Sequence, residues 1–403
     1  MVVRRITFAS CQPYIIYPVR LFPDGNIPMK PAEFISENKE GMIKDLETLV
    51  NFETPSTDKD LLDRAADYLL KYVEKNLSCE AELIENATAG NNVSARIGRG
   101  AVKKPLLILA HYDTVWSKGT LSRIPFSISN GIARGPGIFD MKGGLVQGLW
   151  ALRSLEEYGR PNRPIEMLIT SDEETGSNSS RELIETKARA SEAALVLEPP
   201  QDGKVKTARK GIGEFSINVL GKAAHAGLEP WKGVNAIEEA ARVILFLQSL
   251  NRIEKGTTIN VCTVNGGTRT NVIADHTSLG VDFRVASEAE AKNVVKSVMS
   301  IKPNNPSIKL EISGGLNRPP MQKTYETARL LEVAKTIGAE FGTSIEDCTV
   351  GGGSDGNFCA AVGIPVLDGL GAVGNGAHAE TEFVDLNQMP LRAAIFERLL
   401  EEL

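Results

Sequence analysis

Short runs of bulky apolar residues that end abruptly in acidic or histidine side chains recur along this chain. The clearest spans Pro105 to Thr114, where the letters PLLILA lead straight into His111 and Asp113. The run is short and has no polar helical face, which predicts a strand buried on both faces of a sheet. At the C-terminal end of such a strand, side chains emerge into the crevice where open α/β sheets bind ligands. We therefore expect a functional site where these strands end.

Four further segments bring candidate residues to the same place. The strand IEMLIT leads into Glu173 and Glu174, and the strand ALVLE ends in Glu198. Asp140 lies in the glycine-rich turn GPGIFDMKGG, and His378 lies in a glycine-rich loop after the strand GIPVLDGL. Imidazole nitrogen and carboxylate oxygen are the usual ligands of catalytic zinc. The pattern therefore predicts a metal site with catalytic acids beside it.

Two of these acids have neighbours that indicate a more specific role. Asp113 comes two residues after His111 and points to the same side of an extended chain, so it is suited to orient the imidazole. Glu173 and Glu174 are adjacent, and adjacent side chains diverge at a strand end. One can therefore bind a metal while the other reaches a different point.

The order of elements predicts an α/β fold with a second domain inserted into the first. Strands alternate with helices from about residue 80, which indicates a doubly wound, mainly parallel sheet. From about residue 205 the order becomes β-α-β-β-α-β, that of a ferredoxin-like unit. Near the N-terminus, Thr57 is predicted to cap a helix, with Asp60 as its capping-box partner. The predicted divisions are an N-terminal extension (1–32), a catalytic metal-binding domain in two segments (33–204 and 316–403) and a small domain between them (205–315).

Charge and cysteine content exclude several classes of protein. A net charge of -6 gives no reason to expect nucleic acid or an anionic membrane as a partner. No apolar stretch is long enough to span a bilayer, and the N-terminus lacks a secretory signal pattern. The cysteines form no CxxC pair, which favours a reducing compartment and a cytoplasmic location. They are Cys11, Cys79, Cys262, Cys348 and Cys359.

Taken together, these motifs resemble the zinc-dependent glutamate carboxypeptidase, aminoacylase and succinyl-diaminopimelate desuccinylase family. The resemblance covers nearly all of the chain from about residue 40 to the end. The motifs that carry it are, in order, HYDTV, GPGIFDMKGG, TSDEETGS, LEPP, GKAAHAG and GAHAETEFVD. The phrase PFSISNGIARGPGIFDMKGG is most similar to the glutamate carboxypeptidase branch. The resemblance implies that the small domain serves as lid and dimer interface.

The resemblance also implies a role for each candidate residue. Two zinc ions, or cobalt or manganese in their place, would share Asp140 as a bridge. The implied metal ligands are His111, Asp140, Glu174, Glu198 and His378. Glu173 would be the general base, and Asp113 the partner of His111. The implied ligands of the substrate carboxylate or the oxyanion are His225, Asn271, Arg284 and Arg318. A surface or paired arginine is the other interpretation of Arg284.

The predicted function is a two-zinc carboxypeptidase that hydrolyses an amide bond and releases a C-terminal amino acid, with glutamate as the expected product. An N-acyl amino acid deacylase of the acetylornithine or succinyl-diaminopimelate type is the alternative, because it would use the same machinery on a smaller acyl group. A binding or regulatory protein without catalysis is disfavoured by the intact Glu173 and ligand set. The expected partners are a small peptide or N-acyl amino acid and a second copy of the chain, joined through residues 205–315.

Overall fold

The computed structural model describes residues 29–98, 103–159 and 161–403. Most of the predicted extension, residues 1–28, and Cys11 with it, lies outside the described residues. The helices are α1 (Met29–Glu37), α2 (Lys39–Asn51), α3 (Lys59–Asn76), α4 (Gly143–Tyr158), α5 (Arg181–Ala190), α6 (Ala236–Ser249), α7 (Glu288–Met299), α8 (Tyr325–Glu340), α9 (Gly356–Ala361) and α10 (Met389–Glu402).

The strands fall into two large sheets and two small ones. They are β1 (Cys79–Ile84), β2 (Asn92–Ile97), β3 (Leu106–His111), β4 (Ser127–Ser129), β5 (Ile132–Arg134), β6 (Ile165–Thr170), β7 (Ala193–Val196), β8 (Val205–Arg209), β9 (Gly211–Leu220), β10 (Thr258–Gly266), β11 (His276–Val285), β12 (Lys309–Arg318), β13 (Asp347–Val350), β14 (Val366–Leu367), β15 (Gly374–Asn375) and β16 (Phe383–Asp385).

The larger sheet has the strand order β1-β2-β6-β3-β7-β14. Its β6, β3, β7 and β14 run parallel, while β1 and β2 form an antiparallel edge. Every residue of β3 is buried, because successive side chains enter different cores: Ile108 packs with the helices on one face, and Leu107 packs with α5 and α9 on the other. The predicted α/β class with a mainly parallel sheet is confirmed.

The second large sheet has the order β10-β11-β9-β12 and is antiparallel throughout. In chain order, this is the arrangement of the predicted ferredoxin-like unit. The helices α6 and α7 cover one face, and side chains such as Phe215, Leu279 and Val294 form its separate core. The preceding strand β8 does not join this sheet, because it pairs in parallel with β13.

The cap of α3 differs from the prediction. The N-cap residue is Asp58, whose carboxylate accepts the N–H of Leu61 at 3.2 Å. The assignment of the cap to Thr57 was therefore wrong by one residue. The predicted partner Asp60 lies in the first turn, where an acid is favourable for the helix dipole.

Two further findings concern the described part of the chain as a whole. Its helices lack the length and the unbroken apolar run that a membrane crossing requires. Its cysteines, Cys79, Cys262, Cys348 and Cys359, are all free thiols.

Candidate metal centre

His111 ends the buried strand β3 and faces carboxylates with both ring nitrogens. Its Nδ1 lies 3.3 Å from Asp113 Oδ1, and its Nε2 lies 3.3 Å from Asp140 Oδ1 and 3.5 Å from Glu198 Oε1. Burial alone would lower the pKa of His111, but the hydrogen bonds with these acids hold that pKa well above its usual value. One ring nitrogen is thus directed by Asp113, and the other faces two predicted metal ligands.

Asp113 also fixes the segment that carries the adjacent glutamates. It is fully buried, and its two oxygens accept the backbone N–H groups of Glu173 and Glu174, each at 3.2 Å. The hydroxyl of Ser56 donates to the same carboxylate at 2.7 Å. Asp113 therefore contacts the ring of His111 and also holds the segment that follows β6.

The second half of the centre is formed by His378 and Glu174. His378 Nε2 lies 3.1 Å from Glu174 Oε2 and 3.5 Å from Asp140 Oδ2. The hydrogen bonds from Asp140 and Glu174 raise the pKa of His378 to about 10, and burial raises the pKa of Glu174 to about 7. Asp140 thus directs one oxygen at each histidine, which is the arrangement that a bridging carboxylate requires.

The donor set fits a divalent metal. Glu174 Oε1 is buried and has no hydrogen-bond partner among the described residues, and leaving such an atom unpaired is costly. Burial raises the pKa of Asp140, but hydrogen bonds from the two histidines outweigh this effect and keep that pKa well below its ordinary value. Nitrogen and carboxylate donors converging within a few ångströms are typical of zinc and related ions.

Glu198, after β7, is held by an arginine that the sequence did not single out. Arg209, on β8, places Nη2 3.4 Å from Glu198 Oε2. The same guanidinium donates to both oxygens of Asp368, at 2.7 and 2.8 Å, and to the carbonyl of Gly353 at 2.8 Å. Since Arg209 stands in the unremarkable run VKTARKG, no local pattern could have identified it.

Glu173 is paired with Arg318. Arg318 Nη2 lies 2.9 Å from Glu173 Oε1 and donates to the carbonyl of Glu173 at the same distance. Its Nη1 lies 2.9 Å from Asp355 Oδ1, so the buried guanidinium is shared between two acids. Burial raises the pKa of Glu173 well above its usual value, and the charge of Arg318 opposes this shift. The structure therefore places Arg318 against the predicted base.

The other three predicted substrate residues lie apart from this cluster. His225 is exposed, and its Nδ1 accepts the N–H groups of Gly227 and Leu228 at 3.1 Å. Asn271 lies beside it, since the N–H of Ala226 donates to the carbonyl of Asn271 at 2.9 Å. Within the described part of the chain, neither side chain bonds to a metal-centre residue.

Arg284, on β11, also makes no bond to the metal centre among the described residues. Its Nη2 and Nε donate to the carboxylate of Asp282, at 2.8 Å for the shortest contact. The side chain is half-buried. Arg284 is therefore a paired arginine in the structure, which is the second of the two interpretations that the sequence allows.

Comparison with known proteins identifies the family. The profile of the peptidase family M20/M25/M40 matches residues 107–402. The chain belongs to this family. It is 33% identical over 381 residues to carboxypeptidase G2 from Pseudomonas sp. (strain RS-16), which covers 91% of this chain and 90% of that protein. It is also 28% identical over 353 residues to a succinyl-diaminopimelate desuccinylase from Dechloromonas aromatica (strain RCB), covering 82% and 90% of the two chains.

A solved structure of a related fold supports the architecture. The aminopeptidase PepT from Bacillus cereus ATCC 10987 matches with a TM-score of 0.75 at 24% identity, over 91% of this chain and 98% of that one. The resemblance drawn from the motifs is confirmed, and so is the prediction of a metal-dependent hydrolase that acts on peptide bonds.

Proposed function

We propose that this M20 peptidase is a two-metal carboxypeptidase that releases a C-terminal amino acid, with glutamate preferred. The observation that carries the proposal is the position of Asp140, whose two oxygens lie 3.3 Å from His111 Nε2 and 3.5 Å from His378 Nε2. His111 and Glu198 would hold one ion, Glu174 and His378 the other, and Asp140 would bridge them. The donors suit zinc, and cobalt or manganese could replace it.

The chain's own residues would move the protons. Two divalent ions, when bound at this centre, would supply Lewis acidity at the scissile carbonyl and would lower the pKa of a bound water. Glu173 accepts a proton from the attacking water and passes it to the leaving amine. Its pKa, raised by burial, suits that exchange. We assign Arg318 to holding Glu173, in place of binding the substrate directly, because its guanidinium already pairs with Glu173 and Asp355.

A buried lysine supports the preference for an acidic product. Lys206, on β8, is only 8% exposed, and its ammonium has no hydrogen-bond or ion-pair partner among the described residues. Burial lowers the pKa of Lys206, and Arg209 adds to this effect, while Asp368 and Glu198 oppose it. A largely buried lysine whose ammonium has no partner among the described residues is suited to bind a ligand that supplies a counter-charge. The side-chain carboxylate of a C-terminal glutamate would do so.

We assign the α-carboxylate of the substrate to Arg284, and the oxyanion to His225 with Asn271 beside it. Arg284 uses Nε and Nη2 for Asp282, and the guanidinium fork has further N–H groups for a substrate carboxylate. Because Nδ1 of His225 accepts two backbone N–H groups, a neutral ring carries its proton on Nε2. That exposed N–H is a suitable donor for an oxyanion.

We further propose that residues 205–315 form a lid and a homodimer interface. Large apolar side chains are exposed on and around α6, including Trp231 (77%), Leu245 (71%) and Leu228 (69%). The strand β10 forms an open edge of its sheet next to them. Exposed apolar groups and an unpaired edge are features of an interaction surface. Because His225 makes no bond to its own metal centre and lies beside this surface, we propose that it acts in the partner's site.

The alternative, an N-acyl amino acid deacylase, has the 28% identity with a desuccinylase in its favour. A panel of peptidyl and N-acyl amino acids with metal-loaded protein separates the two, with the free amino acid as the readout. Peptidyl substrates with a free C-terminal glutamate should be cleaved best, and amidated ones poorly. Equal turnover of amidated and free-acid substrates would contradict the carboxypeptidase, and a preference for acetyl or succinyl groups would favour the deacylase.

The same panel tests Lys206. Lys206→Met should lower kcat/KM for substrates that end in glutamate by about 10-fold or more, since a charged hydrogen bond is lost. Substrates that end in alanine should change little. Lys204→Met is the matched control, because Lys204 is exposed and pairs with Glu346. An equal loss for both substrates would contradict the assignment.

A further inference from the structure

The turn that carries Asp140 is fastened by a buried acid, Glu382. This side chain is 2% exposed. Its Oε1 accepts the N–H groups of Phe139 and Asp140 at 2.9 and 3.0 Å, and its Oε2 accepts the N–H of Gly137 at 2.9 Å. The indole Nε1 of Trp116 donates to Oε2 at 3.1 Å. One carboxylate therefore gathers the backbone of the turn and anchors it to the segment after β3.

Glu382 also belongs to the loop that supplies His378. The N–H of Glu382 donates to the carbonyl of Ala379, and the N–H of Ala379 donates to the carbonyl of Gly376, both at 2.9 Å. These turns connect Glu382 to His378 through a few residues. The carboxylate thus joins two loops, of which one carries Asp140 and the other carries His378.

The remaining ligands are held by different groups. Asp113 holds the ring of His111 and the N–H of Glu174, and Arg209 holds Glu198. Loss of the Glu382 carboxylate would therefore loosen Asp140 and His378, while His111 and Glu198 keep their supports. Because Asp140 is proposed to bridge the two metal positions, both should depend on Glu382, and the one that also uses His378 should depend on it more.

We propose that Glu382 is a positioning residue for the metal centre. It supports two ligands, Asp140 and His378, of the position that also contains Glu174, but only the shared Asp140 of the position formed with His111 and Glu198, so it affects the metal affinity of the first position more. The inference rests on the proposed two-metal function. It adds a residue that contacts neither metal nor substrate and acts by fixing the geometry of two ligands. Groups that orient metal ligands typically contribute 10- to 100-fold to metal affinity.

The test compares metal binding by the wild-type protein and by Glu382→Gln. Glutamine has the same shape, but only one of its two terminal atoms can accept a hydrogen bond. Its amide group would therefore face N–H donors. Metal content is measured by elemental analysis, and affinity by competition with a chelator. We expect wild type to bind two ions, and Glu382→Gln to bind one about 10- to 100-fold more weakly and the other with a clearly smaller loss of affinity, since it shares only Asp140 with the first. Excess metal should restore most of kcat, with KM unchanged.

A neighbouring acid provides the matched control. Glu380 is exposed and pairs with Arg123 at the surface, so Glu380→Gln should bind both ions as wild type does. If Glu382→Gln fails to fold, Glu382→Asp takes its place, because it keeps the charge but cannot reach every N–H group. The melting temperature of the metal-free protein separates positioning from a general structural role.

Two results would overturn the inference. One is wild-type affinity for both ions in the Glu382 variants. The other is an equal weakening of both ions that follows the loss of metal-free melting temperature, which is what a purely structural role gives. A wild-type protein that binds a single ion would instead contradict the two-metal function itself, and the inference with it. The wild-type measurement therefore distinguishes the two failures.

Discussion

At the scale of single residues, other polar groups hold the proposed ligands of the candidate metal centre in place. Asp113 directs His111 through Nδ1, and Arg209 reaches Glu198 from β8. Arg318 pairs with Glu173, the proposed base. Carboxylates packed this closely repel one another, so fixed partners are needed to keep each oxygen where a metal or a proton can use it.

The clearest consequence concerns the general base. Glu173→Gln keeps the shape of the side chain but cannot accept a proton, so kcat should fall by ~10²- to 10⁴-fold. Metal content should stay at the wild-type level, because Glu174, not Glu173, is the proposed ligand. The measurements are steady-state kinetics and elemental analysis. Glu182→Gln, on the exposed side of α5, is the control and should behave as wild type.

Near-normal kcat in Glu173→Gln would place the base elsewhere. Loss of metal together with activity would show that the roles of Glu173 and Glu174 are exchanged or shared. Both outcomes would leave the family assignment intact, since that rests on the match over residues 107–402.

The sequence can predict candidate ligands at strand ends, because both the residue type and the apolar run before it are visible in one short segment. His111 and Glu198 each follow an apolar run that ends at the same edge of the sheet, and in the structure they lie 3.5 Å apart. The partners of these ligands are different. Arg209 and Glu382 contact segments that are distant in the chain. Glu382 lies in the motif GAHAETEFVD, but neither that motif nor any periodicity reveals which segment it contacts. Arg318 could not be assigned from the sequence for the same reason. An arginine that follows a strand can bind a substrate anion or pair with a buried acid, and the sequence does not distinguish the two.

At the scale of elements, alternation of apolar and polar residues predicts some strands well, whereas others form only because they pair with a distant strand. The alternating run EFSINVLG corresponds to β9, and its even and odd residues divide between the core of the small sheet and the other face. The strand β8 carries no such pattern and was not predicted. It exists because it pairs with β13, from a part of the chain that lies beyond the whole small sheet. That pairing also delivers Lys206 and Arg209 to the metal centre.

Single hydrogen bonds can stabilise the end of a helix. At the start of α3, the neighbouring residues Asp58 and Thr57 allow this contribution to be tested. Asp58 accepts the N–H of Leu61 at 3.2 Å, whereas Thr57 is exposed and precedes the cap. Asp58→Ala should lower the free energy of unfolding by about 1 kcal/mol, and Thr57→Ala should have little effect. Urea unfolding of both variants measures the difference. A larger loss in Thr57→Ala would return the cap to the residue that the sequence suggested.

At the scale of the whole molecule, the ligands and the small sheet occupy separate parts of the chain. All proposed metal ligands lie outside residues 211–318, whereas His225 and Asn271 lie inside. Neither of these two side chains bonds to a metal-centre residue in the described part of the chain. The exposed apolar groups near His225, such as Trp231 and Leu228, give a physical reason for two copies to associate there. These positions are consistent with the proposal that a neighbouring copy completes the site.

Mixing two inactive variants, Glu173→Ala and His225→Ala, tests this arrangement after the subunits are dissociated and reassociated. If His225 acts across the interface, one site of a mixed dimer carries both lesions. The other site combines its own Glu173 with an intact His225 from its neighbour, so activity should return. If His225 serves its own chain, every site carries one lesion and the mixture stays inactive. Mixed dimers that are shown to be present, yet are inactive, would refute the trans role of His225 and leave the metal centre and its base unaffected.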